Sequence, residues 1–201
     1  MTPQAQASAA TEATIAAEAD AIRAIPLDDA ARRRLGRMFS DHHGVVFRVI
    51  RRMGIDPARA EDGAQQVFMI AARRLDDIVS GKERAFLIGA ALNTARRLRR
   101  ERAHQAMGSE PPRSGPGTDD LVDRKRKREL LDRLLDEMEE DLRVVLVLAK
   151  IEGQAKREIS DALGIPEGTV ASRLRRASDD FLARLKRHQA SSAGARGRVA
   201  G

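Results

Sequence analysis

A glycine closely followed by a proline, set between two amphipathic helical patterns in residues 152–177, most constrains what this chain can fold into. Gly164 suits a left-handed helix end because it has no Cβ to clash. Pro166 cannot extend the first helix but suits the start of a second one. Apolar residues recur at helical spacing on both sides of the turn: Ile159, Ala162 and Leu163 before it, and Val170, Leu174 and Ala177 after it. The pattern predicts a helix-turn-helix.

The second helix of this motif has a polar outer face, formed by Glu167, Thr169, Ser172, Arg173 and Arg176. Such a helix can lie in the major groove of DNA, with its first turns toward base edges and its arginines toward phosphates. An ordinary helical hairpin with a solvated basic face is the alternative. The glycine–proline turn before an arginine-rich helix favours the DNA-binding interpretation.

The composition limits the kind of partner and the kind of core. Lysine and arginine number 37 against 30 acidic residues, and the net charge of +7 suits nucleic acid, although many solvated charges alone would give the same balance. The chain has no cysteine, which excludes disulfides and thiolate metal sites and fits a reducing cytoplasm. Its aromatic residues are five phenylalanines, which predicts aliphatic cores and few stacking platforms for single-stranded bases.

Periodicity and composition predict an all-α fold of two small helical bundles joined by a flexible linker. The bundles are expected at residues 31–105 and 121–188, and prolines and glycines mark the linker at 106–120. Residues 1–30 and 189–201 are predicted to be a disordered extension and a disordered basic tail. The amino-terminal residues lack the pattern of a signal peptide, and no apolar run approaches the length of a membrane span. We therefore expect no membrane insertion.

The first bundle is predicted to contain three helices. The second of them opens at Asp56 and Pro57, with the aspartate as N-cap and the proline in the first turn. Gly63 is expected to weaken this helix by about 1 kcal/mol relative to alanine. The third helix, 83–102, ends in a basic run of Arg96, Arg97, Arg99, Arg100 and Arg102.

Two helical modules ending in this motif resemble the bacterial RNA polymerase sigma factors of the sigma-70 superfamily, in the extracytoplasmic-function (ECF) group. The resemblance covers about residues 35–102 (region 2) and 128–186 (region 4). Its more specific part is Glu152-Gly153, Glu158-Ile159 and Leu163-Gly164-Ile165-Pro166-x-Gly168-Thr169-Val170-x-Ser172-Arg173-Leu174-x-Arg176-Ala177. The region 2 match rests on Ala60-Glu61-Asp62-x-x-Gln65-x-Val67-Phe68, on Phe86-Leu87 and on the basic helix end.

The resemblance implies a subunit that binds core RNA polymerase, recognises the −10 and −35 promoter elements and initiates transcription, with no catalysis of its own. The −35 element would be read by Glu167, Gly168, Thr169, Ser172, Arg173 and Arg176, with Lys156 and Arg157 at the backbone. The −10 element would be recognised and melted by the loop 76–82 and the helix after it, through Ser80, Lys82, Asn93, Arg96, Arg97, Arg99 and Arg100.

The resemblance also implies protein partners. Core polymerase would be met at its β′ clamp helices and β flap, and the clamp helices would dock on Glu61, Asp62, Gln65 and Gln66. An anti-sigma factor covering both regions would sequester the chain, the location would be the cytoplasm at the nucleoid, and no cofactor is implied. Without the family pattern, a solvated helix surface is the favoured interpretation of the polar face. For the arginine run, a favourable charge at a helix end remains the alternative.

This sequence departs from the family pattern at several positions. Ala72 stands where a tryptophan is usual, and Ala155 replaces a capping serine at a cost of about 1 kcal/mol. Gln66 replaces a frequent glutamate, Glu139 a proline and Ala171 a lysine. These departures bear on promoter strength and sequence preference more than on identity.

No catalytic or metal-binding arrangement stands out in the sequence. His42 and His43 are adjacent, so in a helix they point in different directions and cannot form a two-ligand face. The acidic runs at 76–77, 119–120 and 139–141 are interpreted as solvated faces or helix starts. A stand-alone helix-turn-helix regulator and a sigma-like adaptor without promoter melting remain the alternatives. An enzyme such as a nuclease is disfavoured because candidate ligands are lacking.

Overall fold

A computed structural model describes residues 27–105 and 119–197, and the side chains of residues 27–102 and 126–191. Every regular element within these ranges is helical. The first bundle contains α1 (Asp29–Arg52), α2 (Pro57–Arg73), a short 3-10 helix (Leu75–Asp77) and α3 (Glu83–Gln105). The second contains α4 (Asp119–Asp136), α5 (Glu140–Leu146), a π-helical turn (Val147–Ile151), α6 (Lys156–Leu163) and α7 (Glu167–Gly197). The all-α prediction of two helical bundles is confirmed.

The helices of the first bundle begin where their sequences provide caps. The Asp28 carboxylate accepts a hydrogen bond from the Ala31 backbone N–H at 2.7 Å, so α1 begins at Asp29, slightly earlier than expected. Asp56 accepts from the Arg59 N–H at 3.0 Å, and Pro57 occupies the first turn of α2 as predicted. Both caps satisfy amide donors that a helix start leaves without partners.

The first bundle packs its three helices around aliphatic side chains and one phenylalanine. Its fully buried members include Val46, Ile50, Val67, Phe68, Leu87 and Ala91. Gly63 lies inside this core, where an added Cβ would sit 3.1 Å from Leu98 Cδ1 and 3.3 Å from Ile50 Cδ1. The glycine that we expected only to weaken α2 therefore also allows α1 and α3 to approach it closely.

The second bundle is built around α5, the π-helical turn and the helix-turn-helix. Leu135, Val145, Val147 and Leu148 are fully buried in it, and Ile159 anchors α6 on them. Ala155 is the N-cap of α6 without a side-chain bond, and the Glu158 carboxylate accepts from the Ala155 N–H at 2.8 Å. Half of a capping box therefore remains at the position where serine is absent.

The end of the chain differs from the prediction. We expected the second bundle to end near residue 188 and a disordered tail to follow, but α7 continues to Gly197. Alanine, serine, arginine and glutamine tolerate a helix, and no proline interrupts residues 189–197. The predicted extension up to residue 26 and the linker at 106–118 lie outside the described residues.

The two bundles lie against each other, a feature that the sequence did not predict. Helix α6 packs on α3, where the Ala162 carbonyl oxygen would be 3.1 Å from a Cβ added to Gly89. Gly54, with φ of +83°, ends α1 beside the Asp136 carboxylate at the end of α4. Buried residues of both bundles join in one continuous apolar core.

Candidate nucleic-acid interface

The helix-turn-helix forms as predicted, and its turn is fixed by backbone geometry. Gly164 adopts the left-handed conformation with φ of 65°, and its N–H donates to the Ser160 carbonyl at 2.9 Å. The Ser160 hydroxyl donates to the Ile165 carbonyl at 2.6 Å, closing the turn from the other side. Val170 and Ala177 are fully buried and anchor α7 on the second bundle. The recognition helix therefore has a fixed orientation.

The opposite face of α7 is open at its start. Glu167, Gly168 and Ser172 are exposed, and the Ser172 hydroxyl donates to the Thr169 carbonyl at 3.0 Å. Arg173 is half-buried and its Nη2 lies 2.8 Å from the Asp141 carboxylate. Arg176 is exposed and lies 4.0 Å from the Glu139 carboxylate. The predicted −35 residues thus lie along the first turns of α7, and the two arginines among them already have acidic neighbours.

The first turn of α6 adds positive charge beside this face. Lys156 and Arg157 are both exposed there, where α6 enters the helix-turn-helix. Cations at this position can contact backbone phosphates while α7 lies in the groove.

In the first bundle, a single arginine fixes the predicted −10 loop. Arg34 of α1 donates to the Leu75 carbonyl at 3.1 Å and to the Ile78 carbonyl at 2.6 Å. The same guanidinium lies 2.9 Å from the Glu83 carboxylate at the start of α3. Burial opposes ionisation of Glu83, but backbone N–H donors and Arg34 outweigh it and lower its pKa. The loop is therefore held at both ends by one planar guanidinium. No local pattern in the sequence marks Arg34 for this role.

A cavity of about 620 Å³ opens between α2, the −10 loop and α3. Asn93 is exposed on its wall, and Lys82, Arg97 and Phe86 line it as well. The Arg74 guanidinium lies 5.7 Å over the Phe86 ring at the same place. Ser80 is exposed in the loop but does not line the cavity. Three of the predicted −10 residues line this cavity, namely Lys82, Asn93 and Arg97. Four others do not, namely Ser80, Arg96, Arg99 and Arg100.

The basic run on α3 is largely engaged within the molecule. Arg96 and Arg99 both contact the Glu140 carboxylate of the second bundle, at 2.6 and 3.4 Å. Arg97 pairs with Glu101 at 2.8 Å and donates to the Gln66 side chain. Arg100 is exposed and forms no ion pair with any described side chain. The arginines thus lie along one helix end but differ in whether they already form ion pairs within the molecule.

The polar face of α2 is only partly open. Glu61 lies 3.2 Å from His43 Nε2, and His43 itself packs against the rings of Phe39 and Phe68 at centroid distances of 4.7 and 6.0 Å. Asp62 is exposed and Gln65 is half-buried, while Gln66 accepts from Arg97. Asp62 is therefore the most accessible of the predicted docking residues.

A buried arginine that the sequence analysis did not single out organises the second bundle. Arg143, 1 % exposed, pairs with the Asp136 carboxylate at 2.8 Å and donates to the Asp136 and Met138 carbonyls. Burial, and next the charge of Arg99, lower the pKa of Arg143. Its guanidinium satisfies carbonyls that the end of α4 leaves open. The only signal in the sequence was a charged residue inside the apolar run 142–148.

Among the described residues, no group of three or more histidine, aspartate or glutamate side chains could hold a metal ion. No helix within the described ranges is long and apolar enough to cross a membrane. The acidic residues at 139–141 do start a helix, as interpreted, and each also lies beside an arginine.

An all-α chain with a helix-turn-helix in one bundle and a basic helix end in the other defines a DNA-binding protein with two contact surfaces. Family models match both parts: sigma-70 region 2 at residues 38–105 and sigma-70 region 4 at 128–179.

Two known proteins similar to this chain are named ECF RNA polymerase sigma factors. The ECF RNA polymerase sigma factor SigL of Mycobacterium tuberculosis is 30% identical over 68% of this chain and 80% of its own length. The ECF RNA polymerase sigma factor SigE of Mycolicibacterium smegmatis is 26% identical over 83% of this chain and 67% of its own. The solved structure of CnrH in complex with the cytosolic domain of CnrY shares the fold, with a TM-score of 0.61 at 22% identity, over 84% of this chain and 94% of CnrH.

The chain belongs to the sigma-70 family of RNA polymerase sigma factors, in the ECF group. The resemblance inferred from the motifs is confirmed. In this family, region 2 binds the −10 element and region 4 the −35 element, and its members are initiation factors rather than enzymes. The alternative of a stand-alone helix-turn-helix regulator is therefore not supported.

Proposed function

We propose that α7 reads the −35 element in the major groove through its exposed first turns. The observation that carries this is the fixed anchoring of α7 by Val170 and Ala177, which leaves Glu167, Gly168 and Ser172 facing outward. Thr169 joins them at the bases, and Arg173 and Arg176 lie farther along for phosphates. Lys156 and Arg157 contact the backbone from α6 and set the position of the helix.

The −10 element is assigned to the cavity between α2 and α3. Melting needs a base to leave the stack, at a cost of a few kcal/mol, and needs a grip on the separated strand. The cavity wall offers Asn93 as a hydrogen-bonding group for an extruded base, and Ser80 is exposed in the loop before α3. The cations along the cavity and helix end supply the grip: Lys82, Arg96, Arg97, Arg99 and Arg100.

Core polymerase is assigned to the outer face of α2, where its β′ clamp helices would meet Asp62 and Gln65 first. Glu61 and Gln66 lie on the same face but have partners within the bundle, so they contribute after those partners rearrange. The β flap would be met by the second bundle. The chain would work in the cytoplasm at the nucleoid, where polymerase and promoter DNA are.

An anti-sigma factor is a further proposed partner. Its support is that CnrH, which shares this fold, was solved in complex with the cytosolic domain of CnrY. The two bundles, described at residues 29–105 and 119–197, are proposed as the functional units.

The test is transcription from a genomic DNA library by core polymerase with the purified chain, mapping new start sites. Discrete starts that share two spaced upstream elements are expected, and Arg173→Ala should reduce them. Arg187→Ala is the matched control, since it removes an exposed arginine of α7 beyond the recognition turns. Absence of new starts, with polymerase binding retained, would instead favour the sigma-like adaptor.

A further inference from the structure

The ion pairs between the two bundles all have the same polarity. Among the described side chains, each such pair joins a cation of the first bundle to a carboxylate of the second: Arg48–Glu152, Arg52–Asp132, Lys82–Asp161, Arg84–Glu158, Arg96–Glu140 and Arg99–Glu140. The Glu152 side chain is 1 % exposed and lies 2.7 Å from Arg48, whose pKa is raised by that hydrogen bond. One face of this interface is therefore cationic and the other anionic.

The cationic side overlaps the surface assigned to the −10 element. Lys82, Arg96 and Arg99 belong to both, and the carboxylates of Asp161 and Glu140 lie where DNA phosphates would have to be. A carboxylate and a phosphate oxygen accept the same charge-assisted hydrogen bonds from arginine. The two contacts with these cations therefore exclude each other.

Three consecutive acids at the start of α5, Glu139, Glu140 and Asp141, reach the second DNA-contacting surface as well. We call them the acidic turn. Glu140 holds the arginines of α3, while Asp141 lies 2.8 Å from Arg173 and Glu139 lies 4.0 Å from Arg176. Residues of one short segment thus neutralise arginines assigned to both promoter elements.

A close contact between α6 and α3 lies in the same interface as these ion pairs. The Ala162 carbonyl of α6 lies so near Gly89 of α3 that a Cβ there would be 3.1 Å from the oxygen. The Asp161 and Ala162 residues also line the cavity assigned to the −10 base. A backbone oxygen cannot rotate away, so this contact is either made or lost as a whole.

We propose that the free chain is self-inhibited: the carboxylates of the second bundle, with the acidic turn at their centre, close it over its own −10 cations and must be displaced before promoter DNA binds. The proposal rests on the proposed function for the identity of the −10 surface. In this proposal the acidic turn has a regulatory role, whereas the sequence alone suggested only a solvated helix start.

The test uses the full chain, in which the absence of cysteine allows a dye at Ser40→Cys in α1 and another at Ala183→Cys in α7, both exposed. Energy transfer between the dyes reports closure without DNA. Binding is measured separately by anisotropy, with a short, random-sequence, single-stranded oligodeoxynucleotide as the probe. Phosphate contacts do not depend on sequence, so this probe reports the −10 cations.

Two variants break the closed form in different ways. Glu140→Ala removes the central carboxylate, and Gly89→Ala leaves every charge in place but meets the Ala162 carbonyl. Both are expected to lower energy transfer and to tighten oligonucleotide binding several-fold. Glu137→Ala is the matched control, because Glu137 pairs with Arg184 inside the second bundle. It removes the same charge and should change neither reading.

The outcomes separate the two proposals. Unchanged energy transfer in both variants would overturn the closed form and leave the −10 assignment as it stands. Opening without tighter binding would overturn the competition and, with it, the assignment of Arg96 and Arg99 to DNA. The proposal is supported if both variants show lower energy transfer and tighter oligonucleotide binding while Glu137→Ala changes neither measurement.

Discussion

The Glu140 carboxylate lies 2.6 Å from Arg96 Nε, across the interface between the region 4 bundle and the region 2 bundle. Arg96 is one of the cations that the family pattern assigns to the −10 element. The same pair therefore links the packing of the two bundles to the surface proposed to bind the −10 element.

The pair predicts a dependence of closure on pH. The hydrogen bond from Arg96 lowers the pKa of Glu140 against the opposing effect of burial, and the charges of Arg96, Arg99 and Arg143 add to it. Its ionised form is thus favoured in the closed chain. The contribution is complete above the ordinary glutamate value of 4.5 and is lost as pH falls through the lowered pKa.

We therefore expect energy transfer between the bundles to fall on acidification below pH 4.5, and to fall less in Glu140→Ala. The other interface carboxylates are common to both proteins, so the difference between the two titrations reports the contribution of Glu140. Identical titrations of the two proteins would contradict the assignment of this contribution to Glu140.

Arg34→Lys should loosen the −10 loop without unfolding the bundle. A lysine ammonium cannot donate in a fork to Leu75, Ile78 and Glu83 together, so one or more of these contacts is lost. Hydrogen exchange should become faster in residues 75–83, and promoter opening by the holoenzyme should decline. Arg33→Lys, on the exposed side of α1, is the control and should resemble the unchanged chain.

Replacing Arg143 should separate its apolar packing from its hydrogen bonds. Arg143→Ala leaves a cavity and unsatisfied carbonyls, and we expect a loss of about 2–4 kcal/mol in the free energy of unfolding. Arg143→Met keeps most of the buried chain and should lose clearly less. Urea denaturation measures both, and equal losses would mean that packing contributes little at this position.

Two glycines in helices should respond differently to alanine. At Gly36 an added Cβ meets nothing within 4 Å, so Gly36→Ala should stabilise the chain by up to about 1 kcal/mol through helix propensity. At Gly63 the Cβ would press on Leu98, Ile50 and Thr94. Gly63→Ala should therefore gain less than Gly36→Ala or destabilise. Thermal denaturation of the two variants gives the comparison directly, and an equal gain would contradict the tight packing at Gly63.

Gln154→Leu should stabilise the second bundle. The Gln154 side chain is 5 % exposed, and neither its amide nitrogen nor its oxygen has a hydrogen-bond partner among the described residues. Burying an unsatisfied amide is costly, so an apolar side chain of similar size should add about 1 kcal/mol to the free energy of unfolding. A lower midpoint in urea would indicate that the amide has a partner that compensates for its burial.

The local parts of this structure were predictable because short-range chemistry determines them. Gly164 and Pro166 specified the turn, Asp56 and Pro57 the start of α2, and helical spacing the buried face that includes Val170. The family pattern then assigned the proposed DNA-contacting residues to two surfaces.

What could not be predicted depends on residues far apart in the chain. Arg34 reaches Glu83, and Arg96 reaches Glu140, only after helices have packed, and no spacing in the sequence marks such pairs. Gly63 looked like a weak point in α2 because its neighbours on α1 and α3 are visible only in the folded bundle. The continuation of α7 to Gly197 was missed because glycine and serine, which are weak helix formers, outweighed alanine in the prediction of a coil.

Because the interface has a uniform polarity, carboxylates of the second bundle act as counter-ions for the cations of the first. When DNA replaces the carboxylates on Lys82, Arg96 and Arg99, cations leave the DNA, but the freed carboxylates take up cations from solution, so the net number of ions released is smaller. Association with promoter DNA should then depend on salt concentration less steeply than the number of basic contacts suggests. Added salt weakens both the internal pairs and the DNA contacts, so the balance between them is buffered against changes in ionic strength.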